Sequence, residues 1–125
     1  MSRVYNFDAK QDAIEFVVGD CTLEFMPSDE QSKEMQAKAD ELKQRANSID
    51  GTANDDSWKA IQEIKAILDE FFKTMFDNET PEKLYKAVGQ NTMTYLKVFL
   101  QISKAINEVN AERQNDEYFK QFLSE

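Results

Sequence analysis

Two hydrophobic periods follow one another along this chain. From Ile14 to Phe25 the apolar groups Ile14, Phe16, Val18, Cys21, Leu23 and Phe25 fall on alternate positions either side of Gly19-Asp20. That is the period of two strands with one covered face. Gly at the first position of a two-residue loop can take positive φ and so suits a type II′ hairpin turn. Such a loop sets Val18 opposite Cys21, Phe16 opposite Leu23 and Ile14 opposite Phe25, with all six side chains on one face. The other face sets Glu15 opposite Glu24, a mildly unfavourable pair that should stay wet. A lone ribbon is marginal, so its apolar face needs a cover.

Beyond Phe25 the period lengthens to that of a helix. Ser28 and Gln31 form a capping-box pattern. Met35, Ala39, Leu42, Ala46 and Ile49 then make a thin stripe with charge around it, too narrow to be held rigidly. Asp50 to Asp56 is a polar break, read as a helix–helix connection. A second helix is expected from about Asp56 to Phe76, with Trp58, Ile61, Ile64, Ile67, Leu68, Phe71, Phe72, Met75 and Phe76 as a broad stripe. It is the best candidate for the central helix, with Trp58 anchoring its start. Thr80 as N-cap and Pro81 at the first helical position open a third, which stops near Gly89. Asn91 or Thr92 then caps a long helix carrying Met93, Leu96, Phe99, Leu100, Ser103, Ile106 and Val109. The fold class is therefore mainly α: a small helical bundle with an N-terminal two-stranded antiparallel hairpin packed on it. Residues 1–12 read as an arm, 13–25 as the hairpin, and 26–125 as the bundle with its C-terminal tail.

Composition narrows the chemistry. The 125 residues include 15 Lys plus Arg, 24 Asp plus Glu, one Cys and no His, for a net charge of −9. Without His the commonest general base and metal ligand is missing. A net negative charge disfavours nucleic acid or an anionic membrane as partner. No apolar run approaches the roughly 20 residues of a membrane span, and no signal peptide is evident, so a cytoplasmic location is expected.

The candidate sites each have a plainer explanation. Glu15 and Glu24 could pair as carboxylates, but on an exposed face rather than in a cleft. A calcium loop counted from Asp50 would need Gly at position six and Glu at twelve, and finds Asp55 and Ile61. Cys21 has no His to activate it and reads as a small core residue. There is no Gly-rich phosphate loop and no Glu-x-x-His pair. No catalytic residue, metal ligand or cofactor site is expected.

Two features point to protein partners instead. Between Lys83 and Asn107 the chain carries Lys83, Lys86, Lys97 and Lys104 and no acid. This basic strip reads either as a solvated complement to the acidic first helix or as a docking face for an acidic neighbour, including another copy of the chain. The terminal cluster Tyr118, Phe119, Phe122 and Leu123 follows a polar stretch. It reads either as a last helical turn on the core or as a mobile tail whose rings anchor in a partner groove.

The layout of Ile14 to Phe25, the acidic first helix, then Lys83-Leu84-Tyr85-Lys86-Ala87-Val88-Gly89 and the following long helix resembles the short tail assembly chaperones of long-tailed bacteriophages. The resemblance spans most of the chain in layout and composition, with no diagnostic motif. It implies a non-catalytic protein that binds the tape-measure protein and helps recruit tail-tube subunits, in many members also made as a longer frameshifted form. The rival readings are an acidic inhibitor that mimics nucleic acid and a small adaptor. The mimic needs acids at phosphate-like spacing on one face, whereas here lysines intersperse them.

Overall fold

A computed structural model describes residues 2–7, 13–49, 55–114 and 116–124, with the side chains of Asp55, Gln114, Glu117, Tyr118 and Phe119 outside that description. Strands β1 (Ile14–Val18) and β2 (Cys21–Phe25) pair antiparallel in the expected register, Phe16 against Leu23 and Val18 against Cys21. Gly19 takes φ +58° while Asp20 stays at negative φ, the combination that a II′ turn asks of its two central residues. Leu23 and Phe25 are buried, Ile14, Phe16, Val18 and Cys21 are half-buried against the same core, and Glu15 and Glu24 are exposed.

Helix α1 (Asp29–Asn47) begins with the full capping box: the Ser28 hydroxyl accepts from the Gln31 N–H, and the Gln31 side chain accepts from the Ser28 N–H. Its thin stripe is held more firmly than the sequence suggests, because Met35, Ala39 and Leu42 are all buried. Polar stitches to α4 add to this, from Asn107 Nδ2 to Gln36 Oε1 and from Asn110 Nδ2 to Ser32 Oγ. The connection expected over Asp50 to Asp56 falls mostly on residues outside those described.

Helix α2 (Asp55–Met75) buries Ile64, Leu68, Phe71 and Phe72. Trp58 is no anchor: its side chain is 57 % exposed, because the buried position of that turn belongs to Ser57. A step of one residue turns a helix by about 100°, enough to carry a side chain off the stripe.

Helix α3 (Thr80–Ala87) corrects the expected capping. The Asp77 carboxylate, not Thr80, accepts from the Glu79 N–H (2.9 Å), the Thr80 N–H (2.8 Å) and the Thr80 hydroxyl (2.8 Å). Those bonds from Thr80, and then Glu79, hold the Asp77 carboxyl below its ordinary range. The helix closes in a Schellman arrangement: Gln90 N–H donates to Tyr85 O and Gly89 N–H to Lys86 O, with Gly89 at φ +72°.

Helix α4 (Thr92–Gln114) is capped by Asn91, whose Oδ1 accepts from the Thr94 N–H at 2.9 Å. It shares the centre of the bundle with α2, burying Tyr95, Leu96, Phe99, Ile102 and Ile106. The aromatic core joins the two, with Phe72 stacked on Tyr95 (5.6 Å between ring centroids) and edge-on to Phe99 (5.8 Å). Phe25 of the hairpin reaches the same core through Phe76, at 5.0 Å. A short helix, α5 (Glu117–Leu123), follows α4 after a two-residue link.

Candidate functional site

The antiparallel seam between α1 and α4 carries the surface feature with the clearest chemistry. On α1, Ala39 and Ala46 lie seven residues apart on one edge, and their short side chains leave a trough beside α4. Leu96 and Leu100 of α4 line its floor, with Met93 at one end. The trough has a volume of about 610 Å³, within the usual span for binding clefts.

Its rim is basic. Lys43 of α1 and Lys97 and Lys104 of α4 stand along it, all three exposed, with polar Gln36, Gln101 and Asn107 between them. No Asp or Glu lines it, and none of the three lysines is ion-paired with a described residue. Lys97 and Lys104 are one heptad apart, so their charges repeat on one face roughly 10 Å along the axis. An apolar strip with cations on its edge suits the acidic flank of an amphipathic helix.

The structure divides the basic strip read from the sequence. Lys97 and Lys104 belong to this groove. Lys83 and Lys86 belong to α3, where each forms an exposed i,i+4 pair, with Glu79 at 3.2 Å and Glu82 at 3.1 Å, and both border a separate cleft beside the Gly19 turn. Their charge is partly met within their own helix. Lys43 was missed in the sequence because it lies on the acidic first helix, just after Asp40 and Glu41. Its signal was the four-residue step from Ala39.

Of the terminal cluster, Phe122 and Leu123 lie on α5 and are 56 % and 68 % exposed, so neither is part of the buried core. Tyr118 and Phe119 lie on the same helix, and their side chains are outside the described residues.

On the opposite flank of α1 a second groove, about 630 Å³, runs between α1 and α2. Its floor is Ile67, Phe71 and Met75, and its rim holds Glu34, Glu70 and Lys38. That lysine is engaged by Glu41 at 3.0 Å.

One polar cluster sits nearer the core. The Tyr95 hydroxyl donates to Asp69 Oδ1 at 3.0 Å, Lys65 pairs with Asp69 Oδ2 at 2.8 Å, and the Lys65 ammonium lies 4.5 Å from the centre of the Tyr85 ring. Burial, then the charge of Asp69 and the bond to it, push the Tyr95 phenol well above its ordinary range. These groups satisfy one another and tie α2, α3 and α4 together, and Lys65, Asp69 and Tyr85 also line an open cleft of about 500 Å³ between α2 and α3. Cys21 is half-buried, and burial raises its thiol pKa against the pull of Lys83, which lowers the thiolate fraction. Among the described residues no group of three or more metal-ligating side chains is assembled, and no helix is long and apolar enough to cross a membrane.

Comparison with protein-family models, with curated proteins and with solved structures finds no match.

Proposed function

We propose that this chain is a non-catalytic helix-binding protein whose α1/α4 groove covers the apolar face of a partner helix. The observation that carries the reading is the trough itself: an apolar floor of Ala39, Ala46, Leu96 and Leu100 under three lysines and no carboxylate. Apolar burial supplies the affinity of such a site, and the lysines set orientation and on-rate. The partner is then a helix with one apolar stripe and acids beside it.

The resemblance to tail assembly chaperones gives that partner an identity, the long helical tape-measure protein, with the tail-tube protein as a second client, both met in the cytoplasm of an infected bacterium. A chaperone of that kind shields apolar helix surface until assembly buries it. The charge of −9 supports the same role by keeping a loaded chaperone soluble. The test is co-expression with a fragment of a phage tape-measure protein, followed by pull-down. Capture that falls on Lys97→Glu with Lys104→Glu supports the reading. Equal capture by the parent and that variant removes the groove from it, and no capture by the parent removes the tape-measure protein as partner.

A further inference from the structure

The chain itself carries a segment that matches the α1/α4 groove. In α5, Phe119, Phe122 and Leu123 are spaced i, i+3, i+4, the spacing that puts apolar groups on one helix face. Phe122 and Leu123 stand more than half exposed. Past α4 the sequence holds Asp116, Glu117 and Glu125 against Lys120, while within α5 itself Glu117 and Lys120 balance. An apolar-faced helix flanked by acids thus belongs to a chain whose groove is apolar and rimmed by Lys43, Lys97 and Lys104.

The other exposed apolar segment fits less well. Val4, Tyr5 and Phe7 are exposed, but over residues 1–12 Arg3 and Lys10 balance Asp8 and Asp12, so that segment has no net charge to match the groove rim. Charge complementarity selects the tail.

Geometry then selects a tail from another copy. The groove is lined along α4 from Met93 to Asn107, and α4 ends at Gln114. A seven-residue helix is about 10 Å long at 1.5 Å per residue. Folded back over its two-residue link, α5 would lie beside the last seven residues of its own α4 and stop near Asn107. The apolar floor at Leu100, Leu96 and Met93 lies roughly 10 to 20 Å further along by the same rise. As a helix, α5 reaches the mouth of its own groove and the floor of a neighbour's.

We infer that the α1/α4 groove receives the C-terminal helix of a second copy of this chain, so that the protein self-associates until a partner helix displaces that tail. This rests on the groove being the helix-binding site proposed above. Phe122 and Leu123 enter over Leu96 and Leu100, and the acids that flank the helix meet Lys97 and Lys104. Partner binding and self-association then exclude one another, which keeps the groove covered in the free protein.

Sedimentation of the full chain over a range of concentrations and salt tests this. The expected result is association that weakens as salt rises, because the charges are exposed. Phe122→Asp with Leu123→Asp should weaken it at least about tenfold, as loss of apolar anchors does. Lys97→Glu with Lys104→Glu should also weaken it, and circular dichroism should show both variants folded. The decisive arm mixes the two variants: one keeps the groove, the other the tail, so the mixture should recover a one-to-one complex that neither forms alone. A monomeric parent, a variant that associates like the parent, or a mixture that stays monomeric overturns the proposal. A monomeric parent that still captures the tape-measure fragment through Lys97 and Lys104 overturns self-docking alone. One that captures nothing removes the tape-measure protein as partner as well.

Discussion

The two flanks of α1 are built alike and charged oppositely. Each is a trough of about the same volume, opened by short side chains (Ala39 and Ala46 of α1 on one flank, Ala37 of α1 and Ala66 of α2 on the other) and floored by large apolar groups of the neighbouring helix. One rim holds three lysines and no acid. The other holds Glu34, Glu70 and a lysine already engaged by Glu41. Packing makes both flanks capable of taking an apolar surface, and charge decides which surface each takes. An acidic helix is drawn to the α4 side and repelled from the α2 side, with opposed potentials in a molecule that is acidic overall.

The largest expected effect removes both grooves together. Phe72 is fully buried between α2 and the rings of α4, and Phe72→Ala should cost about 3 to 5 kcal/mol in denaturant unfolding. A loss under ~1 kcal/mol would mean that the aromatic core does not hold α2 to α4. Leu42→Ala acts on the helix the two grooves share. Leu42 is fully buried on α1, so the change should cost about 2 to 4 kcal/mol and weaken binding on both flanks. If only one flank weakens, α1 is not the common wall.

A smaller effect probes the polar tie below the grooves. Tyr95→Phe removes the hydroxyl bonded to Asp69 and leaves a buried ring, at a cost of about 1 to 2 kcal/mol. The sign of the pH dependence follows from the raised Tyr95 pKa. The fold favours the protonated phenol, so this contribution is whole below the unfolded value near ~10 and is lost as pH rises above it. Thermal melts of the parent should fall in strongly alkaline buffer, and the Phe variant should lose part of that fall. Equal slopes for the two proteins would rule out Tyr95 as their source.

The smallest stability changes carry the sharpest contrast. Lys97→Glu with Lys104→Glu, and separately Glu34→Lys with Glu70→Lys, should each shift stability by no more than ~1 kcal/mol, because every one of these groups is exposed. Their effects on capturing an acidic amphipathic peptide should differ in sign. The first pair should reduce binding, and the second should leave it or add a second site. Matching losses from both would erase the distinction between the flanks.

The sequence alone determined the local structure. Alternating apolar groups around Gly19-Asp20 fixed the hairpin, its register and its inner face, because a period of two leaves one way to gather Phe16, Leu23 and Phe25. Ser28 with Gln31 fixed the start of α1, since both halves of a capping box lie within one turn. Where two caps competed within a turn, as with Asp77 and Thr80, the choice followed from three donors converging on one oxygen. Periodicity also left the rotation of α2 and α4 open by one position. It placed Trp58 inward and passed over Tyr95 and Ile102, because a broad stripe fits several orientations until a neighbouring helix selects one. Only the tertiary structure decided the groove. The sequence gathered Lys83, Lys86, Lys97 and Lys104 into one strip; the turn at Gly89 separated the first two from the rest, and the packing of α1 on α4 brought Lys43 to join Lys97 and Lys104. Charges more than fifty residues apart become neighbours through helix packing, which no local pattern encodes.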